Sequence, residues 1–146
     1  MTEFIKVCDK DSVLSLLDEF SEVFPHLFEK IDNLDSYAEK ISKLANIYVA
    51  KQDGKNFGIA VFYANDTISK KAYISLIGLK EDSRGKGHGR FLLSQCENLA
   101  KNDGMTQMWL EVDSDNTSGI SFYEKNGYSF VEQSDRDSMY LKKYLI

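Results

Sequence analysis

Residues 72–79 read AYISLIGL, an almost wholly apolar run, and the chain then enters Lys80-Glu81-Asp82-Ser83-Arg84-Gly85-Lys86-Gly87-His88-Gly89-Arg90. A run of that length and composition fits a central strand covered on both faces. Three of the chain's nine glycines fall within five residues here. Beyond them Leu92, Leu93, Cys96, Leu99 and Ala100 recur at helical spacing across Gly87–Asp103, and Gly104 is placed as a C-cap. The order is therefore strand, glycine loop, helix N-terminus. Glycines at alternate positions remove Cβ atoms and let an anion approach the backbone. The exposed N–H groups and the positive end of the helix then make a pyrophosphate site. Arg84, Lys86 and Arg90 add positive charge. A plain strand-to-helix connection would leave this glycine density without a structural or ligand reason. The spacing is neither GxGxxG nor GxxxxGK(S/T), and without that fingerprint and its ribose-binding acid a dinucleotide oxidoreductase is a distant reading.

The remaining elements alternate around this centre. Phe4–Val7 is a short strand. From Asp11 the period turns helical, with Val13, Leu16, Leu17, Phe20 and Phe24 on one face, and Pro25 ends or bends that helix. Leu34, Tyr37, Ala38, Ile41, Leu44 and Ala45 define a second helix, with Asp32 or Asn33 as its N-cap. Ile47–Ala50 and Phe57–Ala64 flank Asp53-Gly54-Lys55, a hairpin signature, and polar 65–71 reads as a turn. Met108–Val112 is a strand and Asn116–Lys125 a short helix stopped by Asn126-Gly127. Tyr128–Glu132 and Ser138–Leu141 close the chain as two antiparallel strands. Neither a repeat nor a linker divides it, which predicts a single α/β (α+β) domain over 1–146.

Composition removes several classes. With 146 residues, 42% hydrophobic and 28% charged, the chain matches ordinary globular proteins. No apolar run approaches the roughly 18 residues of a membrane span. The N-terminus lacks the order of a signal peptide, so a cytoplasmic location is expected. Two cysteines, Cys8 and Cys96, cannot build a disulfide framework, and no CxxC pair suggests a metal. A net charge of −5 does not favour nucleic acid as partner.

Two segments together resemble a known family. Arg84-x-x-Gly87-x-Gly89 after a strand is similar to the Q/R-x-x-G-x-G/A signature of the GNAT N-acetyltransferase superfamily. Asn116-Thr117-Ser118-Gly119-Ile120-Ser121-Phe122-Tyr123-Glu124-Lys125-Asn126-Gly127-Tyr128 resembles the family's second block, in the expected order and separation. The resemblance covers about 47–141 and implies a mixed, mostly antiparallel sheet flanked by about four helices, splayed beside the central strand. It further implies acetyl-CoA as cosubstrate, with Ile77, Gly78 and Leu79 lending backbone groups to the pantetheine arm. The amides of Arg84, Gly85, Lys86, Gly87, His88, Gly89 and Arg90 would hold the pyrophosphate, and Asn116 would bond the cofactor arm.

By the same resemblance Tyr123 aligns with the tyrosine that protonates the departing thiolate, a role that a phenol within hydrogen-bond reach of sulfur can fill. A core aromatic three residues from Ile120 is the rival role for Tyr123. Where some members carry a glutamate on the central strand this chain has Tyr73, so the base departs from the pattern. Glu111 is the next carboxylate, then Asp113, and a base acting through water fits as well. Glu111 as an ordinary strand residue stays open. The acceptor would be a primary amine of a small molecule, with an amino sugar of surface-polysaccharide synthesis preferred. Phe24, His26, Phe28 and Tyr63 are candidates for its pocket. A protein amine and a non-catalytic CoA-binding module are the alternatives. Homodimers are common in the family.

Overall fold

The computed structural model describes the backbone of residues 1–146, while the side chains of His26 and Phe28 lie outside the described residues. The elements run β1 (Thr2–Lys6), α1 (Lys10–Glu19), α2 (Pro25–Lys30), α3 (Leu34–Leu44), β2 (Asn46–Gln52), β3 (Lys55–Tyr63), β4 (Lys71–Leu79), α4 (His88–Asn102), β5 (Gln107–Asp113), α5 (Thr117–Lys125), β6 (Ser129–Gln133) and β7 (Ser138–Tyr144). A short 3-10 turn, Glu81–Ser83, sits between β4 and α4. The strands form one seven-stranded sheet in the order β1-β2-β3-β4-β5-β7-β6. Every pairing is antiparallel except β4 with β5. This is the mixed, mostly antiparallel sheet the sequence predicts.

Local chemistry sets the boundaries. Asp9 caps α1 by accepting from the Ser12 amide at 3.0 Å, and Asn33, rather than Asp32, caps α3 through the Ser36 amide at 3.0 Å. Asp53 and Gly54 both take positive φ, 52° and 80°, which matches the two-residue β2–β3 turn to the twist of its strands. Pro25 does not bend a longer first helix. That helix stops at Glu19, and Pro25 occupies the first turn of the separate helix α2, where its missing N–H costs nothing. The helix count therefore rises from about four to five.

The sheet has a core on each face. On one side Ala60, Phe62, Ala72, Ile74, Met108, Leu110 and Leu141 pack against Leu93, Cys96 and Ala100 of α4. On the other, Ile47, Val61 and Leu76 pack against Val13 and Leu17 of α1 and Ala38 and Ile41 of α3. Strand β4 corrects the expectation of a strand covered throughout. Ala72 and Ile74 are buried, but Ser75–Leu79 are only half-buried. Two features explain this. The β3–β4 register shifts between Val61 and Phe62, whose partners are Leu76 and Ile74, so Ser75 is the extra residue of a bulge. The parallel ladder to β5 covers only Lys71–Ile74 opposite Gln107–Leu110 and ends where the bulge begins. Past that point β4 and β5 separate.

Candidate active site

The separation of β4 and β5 opens a cleft of about 970 Å³, whose walls include Ser75–Leu79 from β4 and Leu110–Asp113 from β5. Its mouth is framed by the two helix N-termini that follow those strands. Along this wall β4 has no strand partner on its β5 side. Backbone N–H and C=O groups need partners. A strand edge exposed inside a sheet is thus a template for an extended, amide-bearing ligand. Ile77, Gly78 and Leu79 all stand on this wall. Gly78 also has a packing reason, because a Cβ there would lie 2.7 Å from both Phe24 and Val23.

The glycine loop has the geometry of an anion site. Gly85 and Gly87 take φ of +77° and +82°, a region that L side chains avoid, and a Cβ at either would meet nothing within 4 Å. Gly87 is the N-cap of α4 and offers no side-chain acceptor, so the first amides of the helix have no capping partner. Open space, unpaired amides and a positive helix end coincide there. Gly89 serves packing as well, since a Cβ would lie 3.2 Å from the Phe122 ring. Arg84, Gly85, Gly87, Gly89 and Arg90 border the cleft, whereas Lys86 and His88 do not line it. The His88 ring packs on Phe57 with centroids 4.4 Å apart.

Asn116 and Gly119 act as a pair. The Asn116 side chain caps α5 by accepting from the Gly119 amide at 3.0 Å, and a Cβ at position 119 would fall 2.5 Å from its Nδ2. The spacing Asn-x-x-Gly is therefore what lets Asn116 fold over the helix end at the cleft wall. One turn later α5 presents Tyr123 to the cleft, with its ring edge-on to Phe122 and Tyr128 at 5.4 and 5.8 Å. No described protein group hydrogen-bonds its hydroxyl, and burial pushes the phenol up to about 12. Tyr123 is thus a packed aromatic that keeps its proton and borders the cleft.

On the opposite wall Glu111 lines the cleft and is tied to the β6–β7 hairpin. The buried Ser138 hydroxyl donates to its carboxylate, and Arg136 Nη2 lies 3.7 Å away. Asp113 also borders the cleft, but is exposed at the strand end. Tyr73, in the strand position where a glutamate was sought, stands near Glu111. Burial first, then that carboxylate, pushes its phenol up to about 12. Phe24 lines the cleft; Tyr63 does not, but pairs with Tyr73 across the ladder. His26 and Phe28 fall outside the described side chains. Among the described residues no cluster of His, Cys, Asp or Glu could hold a metal ion, and no helix is long and apolar enough to cross a membrane.

Read from sequence, Ser75, Tyr37 and Ser138 are only parts of a strand, a helix face and a strand start, and Arg136 is unassigned. Ser75, beside Tyr37 of α3, is the one polar residue inside 74–79, and that interruption was the available signal for the bulge. Arg136 and Ser138 reach Glu111 only through the β5–β7 pairing, which leaves no short-range mark in the sequence.

The raised tyrosines have a consequence for stability. A phenol still protonated in the fold but ionised in the unfolded chain makes unfolding easier as pH rises from about 10, by up to about 1.4 kcal/mol per pH unit. Stability contributed by Tyr73 and Tyr123 is thus full below pH 10 and lost toward their folded values near 12. Urea midpoints between pH 9 and 11.5 are expected to fall, and less steeply in Tyr123→Phe than in the wild type. Parallel slopes would contradict the burial of that phenol.

Known proteins give the same picture. A sequence model of the acetyltransferase (GNAT) family matches residues 13–128. The chain is 34% identical over 77 residues to spermidine N(1)-acetyltransferase of Thermoplasma acidophilum, which is 53% of this chain and 48% of that one. It spans about half or less of the length of the curated relatives matched first. The crystal structure of PaiA N-acetyltransferase from Thermoplasma acidophilum, in complex with coenzyme A, superposes with a TM-score of 0.74 at 22% identity, covering 99% of each chain. A GNAT family acetyltransferase from Elizabethkingia anophelis, with acetyl-CoA bound, gives 0.73 at 15% identity over 99% of this chain and 98% of that one. At those identities the two structures speak to the fold alone. With the motif blocks, the splayed sheet and a family match over most of its length, the chain belongs to the GNAT acetyltransferase family.

Proposed function

We propose that the protein is an acetyl-CoA-dependent N-acetyltransferase that moves the acetyl group directly to a primary amine of a small molecule. The observation that carries this reading is the cleft itself. An unpaired β4 edge, an uncapped glycine-rich helix start and a phenol without a protein partner face one space. Relatives named for spermidine and mycothiol acetylation support a small amine as acceptor.

Acetyl-CoA supplies the acetyl group as a reactive thioester. The amides of β4 past Ser75 are the donors at hand for the carbonyl oxygen as charge develops on it. The carbon–nitrogen bond forms as the carbon–sulfur bond breaks. The amine's surplus proton leaves through Glu111 or a water that it orients, and Tyr123 donates a hydrogen bond to the departing sulfur. The single-sheet chain over 1–146 acts as one catalytic domain in this reading, with no metal. The preferred acceptor within the amine class is an amino sugar, and a cytoplasmic location suits its supply of acetyl-CoA.

Thiol release measured against a panel of amines at saturating acetyl-CoA tests the reaction, and cofactor binding without release from any amine would reject it. In the same assay Glu111→Gln is expected to lower kcat by about 100-fold, the lower end of general-base effects. Asp113→Asn should stay within about threefold, since its carboxylate is exposed and solvated. Reversal of that ranking would move the proton-accepting role to Asp113.

A further inference from the structure

The sheet face that carries Tyr73 and Glu111 continues beyond the cleft, and strand register places its residues in rows. Tyr63 of β3 pairs with Tyr73 of β4, Tyr73 with Trp109 of β5, and Trp109 with Lys142 of β7. One step away from the cleft, Lys71 pairs with Gln107 and Gln107 with Tyr144; one step toward it, Glu111 pairs with Tyr140 and Tyr140 with Glu132. Side-chain contacts confirm the shared face. Lys71 Nζ lies 4.7 Å from the Trp109 ring centroid, Lys142 Nζ lies 5.6 Å from it, and Lys142 Nζ also lies 4.9 Å from the Tyr144 ring. Helices α1 and α3 pack over β2, β3 and Leu76, and no core cluster of described residues takes in Trp109, Tyr140 or Tyr144.

Charge on this open face is ordered. Two ammonium groups converge over one indole, and among the described residues neither has a carboxylate within 4 Å. The aromatic ring beneath gives them partial compensation only. The acids Glu111 and Glu132 sit one row from Lys142, about 7 Å along the strands, and two rows from Lys71. Lys71 and Lys142, from adjacent rows, thus meet over Trp109, and the acids lie on its cleft side, with Glu111 held there by Ser138 and Arg136, so the face complements a bipolar ligand whose anion meets the two lysines.

Building on the N-acetyltransferase reading, we propose that the acceptor is an amine that also carries an anionic group, specifically a phosphorylated amino sugar. Its phosphate meets Lys71 and Lys142 above Trp109, and its amine lies in the row of Glu111 and Tyr140. Tyr73, beside Trp109 on the neighbouring strand, widens the aromatic floor beneath the sugar ring. A polyamine, by contrast, would lay positive charge against those two lysines.

Trp109 is the only tryptophan of the chain, so its emission reports directly on this site. The full-length protein with CoA present is titrated with glucosamine 6-phosphate, glucosamine, inorganic phosphate and spermidine. The phosphorylated sugar is expected to shift Trp109 emission saturably and to bind about tenfold more tightly than glucosamine, as charge pairs to an exposed Lys71 and a half-buried Lys142 allow. The preference should shrink with added salt and vanish in Lys71→Gln/Lys142→Gln, but persist in the remote exposed variant Lys55→Gln. Where transfer is measurable, the kcat/KM ratio of the two sugars should follow the same pattern. Equal binding of glucosamine and its phosphate, inorganic phosphate binding as tightly as the sugar phosphate, or spermidine as the preferred ligand would each overturn the proposal. Fluorescence judges the anion site even if no amine is acetylated, and acetylation of glucosamine without phosphate preference would reject this site while leaving the transferase reading intact.

Discussion

Gly87→Glu is expected to weaken acetyl-CoA binding by roughly 100-fold or more in titration calorimetry while leaving the protein folded. The backbone at Gly87 has φ of +82°, so any L residue there is strained by about 1–2 kcal/mol, an amount a domain with an intact core tolerates. A Cβ at this position meets no protein atom within 4 Å, so the new side chain enters the space in front of α4 rather than the core. Its carboxylate would then sit among the amides that are the anion site and oppose the pyrophosphate. One like-charge contact at about 4 Å costs about 4 kcal/mol at the screening typical of a protein surface, and 100-fold in affinity needs only about 2.7 kcal/mol. Gly104→Glu separates strain from charge. Gly104 has φ of +89°, equally open surroundings, and lies just past the opposite end of α4. It should lose similar stability and no cofactor affinity. Equal loss of binding in both variants would mean that Gly87 acts through the fold and that the loop is not the cofactor's anion site.

The parts of this molecule that were legible from sequence are those determined by residues close together in the chain. The glycine loop was legible because positive φ at 85 and 87 demands glycine wherever the loop sits in space. The start of α5 at Asn116 was legible for the same reason, while its cap over Gly119, only three residues away, went unread. The covering of β4 was not. Apolar composition cannot distinguish a strand buried among neighbours from one whose apolar edge waits for a ligand, and the difference here depends on where the β5 ladder stops. Pro25 was misplaced because a shared apolar face across Leu16, Phe20 and Phe24 outweighed the alternative that proline opens a new helix. The proton acceptor stayed ambiguous because Glu111 gains its partners, Ser138 and Arg136, from a hairpin more than 20 residues away. The bipolar face is the extreme case, as Tyr63, Tyr73, Trp109 and Lys142 become neighbours only through the register of four strands.

Tyr123→Phe is expected to lower kcat by about 100-fold while acetyl-CoA affinity stays within a few-fold. The substitution removes one oxygen and keeps the ring, whose edge contacts with Phe122 and Tyr128 hold this end of α5. The size of the effect follows from acidity. Burial pushes the phenol up to about 12, whereas an ordinary thiol sits near 8.5. Full proton transfer to a thiolate would therefore run uphill by several kcal/mol, so the phenol assists chiefly by a hydrogen bond to developing negative charge. A bond of that kind contributes about 1.5–3 kcal/mol, and the upper end of that range is about 100-fold. The same acidity fixes the pH dependence. Tyr123 keeps its proton through neutral and mildly alkaline pH, so kcat should show no loss assignable to it below about pH 10. An alkaline fall near pH 8–9 that disappears in Tyr123→Phe would place the phenol's acidity far lower than burial dictates. Unchanged turnover in the variant would remove Tyr123 from the reaction and leave it as packing, with water as the proton source for the departing sulfur.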